Sequence, residues 1–221
     1  MDRALVIGAS GGIGAALAAA LEGHGAEVVR LSRARDGLDL RDPGSVERVM
    51  AGIEGTFDAV LVATGVLAPE GRGPEKAMVA VEAATMAEVM QVNAIGPALI
   101  LRHMARLLPR KGRSVLAVLS ARVGSIGDNR LGGWHSYRAS KAALNQIVRG
   151  AAIELARTHR EAVVASLHPG TVATPFTAAY TPAHDKLEPG EAARRLLSVL
   201  ERLTPEETGR FWDHEGREVP W

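Results

Sequence analysis

No cysteine occurs among the 221 residues, which excludes disulfides, thiolate nucleophiles and cysteine-based metal sites together. That absence suits a reducing compartment, so a cytoplasmic protein is expected. A charge excess of either sign is also missing. With 26 basic residues against 25 acidic and no block of like charge, nothing in the chain argues for nucleic acid or an anionic membrane as partner. A small molecule is the expected partner. Seven histidines are scattered without metal-ligand spacing, so no metal site is inferred. No repeat or low-complexity tract occurs. The longest apolar stretch, ALVIGASGGIGAALAAAL, is divided by four glycines into a strand and a helix, and is read as neither a targeting segment nor a membrane span.

What is present is an alternation. Short apolar runs without polar alternation recur at Ala4 to Ile7, Val28 to Leu31, Ala59 to Ala63, Val115 to Leu119 and Val163 to Leu167, as expected of strands buried on both faces of a parallel sheet. Alanine- and leucine-rich helical stretches separate them at Gly12 to Glu22, Pro43 to Gly52, Met86 to Leu108 and Tyr137 to Thr158. Gly96-Pro97 should break or bend the third of these. After Thr174 the chain reads PFTAAYTPAHDKLEP, punctuated by proline; a helix from Glu191 to Leu203 and a short strand near Arg210 to Trp212 follow. The order implies one α/β domain over residues 1–221, a doubly wound Rossmann fold with a mostly parallel sheet flanked by helices.

Two local patterns carry chemistry. GASGGIG, with Gly8, Gly12 and Gly14, joins the first strand to the first helix, where a tight turn and unpaired helix N–H groups can receive a pyrophosphate. Further on, SYRASK places Tyr137 four residues before Lys141, so the two share one helix face. A chain with two tyrosines and four lysines uses one of each here. A phenol is a poor acid or base at neutral pH unless a cation stabilises its phenolate, and Lys141 can supply that charge.

GASGGIG, Asn93, Tyr137-x-x-x-Lys141 and the later HPGTVATP together resemble the classical short-chain dehydrogenase/reductase family over nearly the whole chain. The tail GRFWDHEGREVPW, with GSIGDN and GGW, resembles its C-factor-like branch. The resemblance implies an oxidoreductase moving hydride between a nicotinamide cofactor and a carbonyl or alcohol. Ser10 and Ile13 then join the three glycines at the cofactor. Arg33, nineteen residues past Gly14, suits a 2′-phosphate, so NADP(H) is preferred with NAD(H) as the alternative. Ser32 would help hold that phosphate, and Asp39 and Leu40 would border the adenine. Gly65, Pro169, Gly170, Val172 and Thr174 would follow the nicotinamide end, together with Tyr137 and Lys141. The matching asparagine, Asn93, supports a proton path through a water. Residues 175–189 are expected to cover the substrate. From the residues alone, His135 is read as loop packing ahead of a place at the substrate mouth, and Trp134, Phe176 and Tyr180 equally as apolar walls of the site or as core or interface aromatics. A homodimer or homotetramer built on the long middle helices is also implied.

The chain departs from the family at two places. The third strand ends VATG rather than asparagine-asparagine-alanine-glycine. The substrate-orienting serine should stand at residue 121, which is alanine, flanked by Ser120 and Ser125. Ser120 is the candidate oxyanion donor, although strand neighbours point to opposite faces, and Ser125 would need a different loop path. A cofactor-binding signalling or scaffold protein with little catalysis is therefore the alternative.

Overall fold

The computed structural model describes residues 1–178 and 185–221. Six parallel strands, β1 (Arg3–Ile7), β2 (Glu27–Leu31), β3 (Ala59–Val62), β4 (Ser114–Leu119), β5 (Ala162–His168) and β6 (Arg210–Asp213), lie in the order β2-β1-β3-β4-β5-β6. The expected boundaries hold to within a residue or two. Because β1 is followed on one side by β2 and flanked on the other by β3, the chain reverses direction across the sheet beside β1. A crevice opens at the carboxyl ends of such a pair.

The alternation of side chains builds two cores. Leu5 and Ile7 of β1, Val60 and Val62 of β3, and Leu116 and Val118 of β4 face one helical layer, while Ala4, Val6, Ala59, Leu61, Val115 and Ala117 face the other. On the first face lie α3 (Pro43–Ala51), α5 (Gly96–Leu101), α6 (Met104–Leu107) and α7 (His135–Leu155); on the second, α1 (Gly12–Gly23) packs with α8 (Pro189–Arg202). Each fully buried leucine, isoleucine or valine adds ~1.5–3 kcal/mol, so the sheet is anchored from both sides.

Two expectations need correction. A four-residue helix, α2 (Arg33–Asp36), follows β2 where no element was foreseen. Ser32 caps it, its Oγ accepting from Arg35 N at 3.2 Å while Asp36 accepts from Ser32 N at 2.7 Å. The stretch expected as one helix from Met86 to Leu108 is several. It begins as α4 (Ala83–Met90), widens into a π-turn over Gln91–Ile95, resumes as α5, and breaks before α6. Pro97 lacks an N–H, so the carbonyl four residues earlier, that of Asn93, loses its α-helical donor. The distortion therefore lies before Gly96-Pro97 rather than at it. Ala83–Leu101 is long and apolar enough to cross a membrane by composition, yet Val89, Asn93, Pro97 and Ile100 along it are buried in the fold. Leu40 is buried, 6% exposed, and a Cβ on Gly96 would lie 2.6 Å from its own Cβ.

Candidate active site

A cavity of about 560 Å³ opens at the carboxyl ends of β1, β3, β4 and β5. Its floor is the glycine turn. Gly8 N donates to Leu31 O and Ala63 N donates to Ile7 O, drawing the turn between β2 and β3. There is no room for side chains: a Cβ at Gly14 would lie 2.2 Å from Gly8 O, and one at Gly12 would lie 2.5 Å from Thr174 Cγ2. Helix α1 has no side-chain cap, and Ala15 N to Gly11 O at 2.8 Å is its first intrahelical bond. The N–H groups of Gly12, Ile13 and Gly14 are thus left for a ligand or water. This cradle fits the pyrophosphate of a dinucleotide.

The wall opposite is α7. Tyr137 and Lys141 are 6% and 3% exposed, both line the cavity, and Lys141 Nζ donates to Leu119 O at 2.9 Å. Burial acts on the two in opposite directions, raising the Tyr137 phenol well above its ordinary value and lowering Lys141 to about 8. Behind them stands Asn93, fully buried, its Oδ1 accepting from Val66 N at 2.8 Å and its Nδ2 donating to Val66 O at 2.8 Å and Ser140 Oγ at 3.0 Å. Gly65 makes that approach achievable, since a Cβ there would lie 3.2 Å from Asn93 Oδ1 and 3.4 Å from Lys141 Nζ. One end of the cavity is aromatic. Trp134 meets Tyr137 edge-on at 6.2 Å between centroids, and Phe176 lies 6.0 Å from it on a tilted plane.

The structure brings Ser10, Gly12, Ile13, Gly65, Ser120 and Tyr137 to this cavity, and with them Lys141, Pro169, Gly170, Val172 and Thr174. Gly8, Gly14 and Asn93 support it from behind. Ser32, Arg33, Asp39 and Leu40 do not line it; they lie beyond the end of β2, with Arg33 exposed and Asp39 Oδ1 accepting from Arg41 N at 2.9 Å. His135, the first residue of α7, is also absent from the lining.

The two serines beside Ala121 differ. Ser125 is excluded by its bonds: its Oγ donates to Pro220 O at 2.5 Å and accepts from Asp128 N at 3.1 Å, tying the carboxyl-terminal tail down outside the cavity. Ser120 lines the cavity, but its Oγ is buried and has no hydrogen-bond partner among the described residues. Ala121 itself lines the cavity, extended at φ −146 and ψ 144. Position 121 therefore faces the cavity. In VATG, Ala63 and Thr64 also reach the cavity, and Thr64 Oγ1 is buried without a partner among the described residues.

The segment expected to cover the substrate leaves as a 3₁₀ turn at Pro175–Thr177 and returns beside Val172, where Leu187 N donates to Thr171 O and Ala173 N to Leu187 O, both at 2.8 Å. Tyr180 lies outside the described residues. Sequence reasoning missed Leu67, Arg122, Val123 and Thr171 in the lining. Leu67 and Val123 sit in irregular or 3₁₀ segments, where no periodicity marks which side faces inward.

A family model described as enoyl-(acyl carrier protein) reductase matches residues 8–211. A 1-hydroxy-2-glutathionyl-2-methyl-3-butene dehydrogenase of Rhodococcus sp. (strain AD45) is 30% identical, the match covering 100% of both chains. The C-signal protein of Myxococcus xanthus is 39% identical over 64% of this chain and 81% of its own. Among solved structures, a short-chain dehydrogenase/reductase of Burkholderia multivorans with bound NADP superposes with a TM-score of 0.83 and 29% identity, covering 100% of this chain and 99% of that one.

Proposed function

The chain belongs to the classical short-chain dehydrogenase/reductase family of oxidoreductases, and on that premise we propose that it is an NADP(H)-preferring carbonyl reductase or alcohol dehydrogenase. The observation that carries this reading is the burial of Tyr137 and Lys141 together on the cavity wall facing the glycine turn. A reduced nicotinamide bound along Pro169 to Thr174 would supply the hydride. Tyr137 holds a proton at Oη and gives it to the substrate oxygen as charge develops there. Lys141, still largely protonated at neutral pH with its value near 8, stabilises the phenolate that results. Both side chains emerge from the same turns of α7, so the cation is fixed beside the phenol without a conformational search. Asn93, bridged to Val66 and Ser140, holds the turn behind Lys141, and its carbonyl, freed by Pro97, can hold a water on the proton path.

The aromatic end formed by Trp134 and Phe176 favours an apolar or aromatic carbonyl compound. The preference for NADP(H) over NAD(H) rests on Arg33, exposed beyond β2 and without an ion pair among the described residues, so that it is available to a 2′-phosphate. Exposed Ile95 and Ile153, on the long middle helices, support a homodimer or homotetramer, which sedimentation would test.

Calorimetric titration with NADPH and NADH, followed by a panel of aldehydes and ketones assayed by NADPH oxidation, tests the reading. Tight NADPH binding with turnover that Tyr137→Phe abolishes is expected. Absence of cofactor binding would overturn it. The second reading, a cofactor-binding signalling or scaffold protein, is favoured by Ala121 and the buried Ser120 hydroxyl. It predicts tight NADPH binding without turnover of any panel member.

A further inference from the structure

Glu75 lies outside the cavity, in the irregular chain between β3 and α4, yet it is only 8% exposed. A buried carboxylate needs partners, and these belong to the catalytic helix. Its Oε2 accepts from Ser136 N at 3.2 Å and its Oε1 accepts from Ser136 Oγ, while its backbone carbonyl accepts from Trp134 N at 2.5 Å. Helix α7 has no side-chain cap of its own from Trp134, so Glu75, 61 residues away, caps it instead. Burial pushes its carboxyl pKa up, but bonds from the Ser136 hydroxyl and backbone N–H groups, with His135 nearby, outweigh this and hold it below the ordinary value. A negative charge thus sits at the positive end of the helix.

The residues so held flank the reacting phenol. Ser136 immediately precedes Tyr137, and Trp134 touches it edge-on. Trp134 is moreover the one non-glycine residue with positive φ among the described residues, at 52, following Gly132 at 61 and Gly133 at 63. Such a run is costly for a bulky side chain and needs support from its surroundings. Glu75 braces it on one side. Arg138 braces the other, its Nε donating to Gly132 O at 3.1 Å and Gly133 O at 2.9 Å and one terminal nitrogen to Val123 O at 3.3 Å.

We propose that Glu75 is a positioning residue for the reaction: by capping α7 and fixing Trp134, it sets where the Tyr137 phenol meets the substrate. The turnover part rests on the carbonyl-reducing reading above. Glu75 touches neither the glycine turn nor the cavity, so a displaced Tyr137 is expected to lower kcat more than it weakens NADPH.

The test compares wild type, Glu75→Ala, Glu75→Gln and Ser136→Ala by kcat, KM, NADPH affinity and amide hydrogen exchange over residues 134–140. Glutamine keeps an acceptor for Ser136 N and can donate to Ser136 Oγ, so it preserves the geometry and removes only the charge. Expected are a fall in kcat of about tenfold or more in Glu75→Ala, NADPH affinity within about twofold, several-fold faster exchange at 134–140, and kcat in Glu75→Gln restored to within about threefold of wild type. Should Glu75→Ala fail to fold, Ser136→Ala and Glu75→Gln carry the comparison, with Ser136→Ala expected to lower kcat and speed exchange. Lower thermal stability with unchanged kcat would reduce Glu75 to a structural cap and overturn the inference. If wild type itself proves inactive, the reaction reading fails separately, and unchanged exchange in Glu75→Ala would overturn the brace as well.

Discussion

Ala121→Ser adds a hydroxyl at a position of the cavity wall that has none. The backbone there is extended, at φ −146 and ψ 144, and accepts serine without strain; the residue is 9% exposed and borders the same cavity as Tyr137. Its distance from the catalytic helix is fixed, because Gly124 packs so closely on α7 that a Cβ would lie 2.8 Å from both the Lys141 carbonyl carbon and Cβ. Loss of one oxyanion donor costs other enzymes ~10²–10³ in kcat. A hydroxyl added without a tuned surrounding should recover part of that, raising kcat by ~10-fold, or ~1.4 kcal/mol of barrier. Its folding cost is ~1–2 kcal/mol if it finds no partner. Initial rates of NADPH oxidation with saturating aldehyde measure the effect, and NADPH affinity should not change. Ser120→Ala, which removes the neighbouring hydroxyl, should lower kcat by ~10-fold, and Ala121→Ser in that background should restore it. If Ala121→Ser leaves kcat within about twofold in both backgrounds, the substrate oxygen does not form beside residue 121 and the argument fails.

Other positions give separate tests. Arg33→Asp should weaken NADPH by ~10–100-fold while sparing or improving NADH, as charge-assisted hydrogen bonds of ~1.5–3 kcal/mol are lost; equal losses for both cofactors would remove Arg33 from the 2′-phosphate. Gly14→Ala should destabilise the protein by ~1–3 kcal/mol and weaken NADPH, since its Cβ would sit 2.2 Å from Gly8 O; denaturation and titration indistinguishable from wild type would contradict the packing. Lys141→Met should abolish turnover yet stabilise the fold near neutral pH. Burial lowers Lys141 from 10.5 to about 8, a disfavoured charge of ~3 kcal/mol against ~1.5–3 kcal/mol for the charged bond to Leu119 O, so methionine gains at most ~1.5 kcal/mol. Between pH 8 and 10.5 the unfolded chain keeps the proton that the native state sheds, so wild type gains stability with rising pH and the advantage of methionine shrinks. Urea denaturation at neutral pH and above pH 9 checks this; an advantage constant with pH would show that Lys141 is not desolvated.

The strands were readable because burial on both faces makes them continuous apolar runs. Leu5 and Val6 serve different cores, yet both must be apolar. The glycine turn was readable because only glycine fits where Gly14 meets Gly8. The Tyr137–Lys141 pair needed only helical spacing. Contacts that depend on distant chain were not readable. Nothing near Glu75 shows that it caps a helix 61 residues later, and nothing in GGW shows that Trp134 is held left-handed. The sequence favours Ser120 over Ser125 beside Ala121, but not the bond by which the carboxyl-terminal tail claims Ser125 through Pro220. Proline gave the helix distortion its place only approximately, because the lost bond belongs to the carbonyl four residues earlier.

Transfer of deuterium from C4 of stereospecifically labelled NADPD to an aldehyde, followed by mass analysis of the alcohol, tests hydride transfer with Tyr137 as its acid most directly. Wild type should place one deuterium on the carbinol carbon, and Tyr137→Phe should form no product while binding NADPH with unchanged affinity. Alcohol formed without label, or formed at the wild-type rate by Tyr137→Phe, would contradict the account.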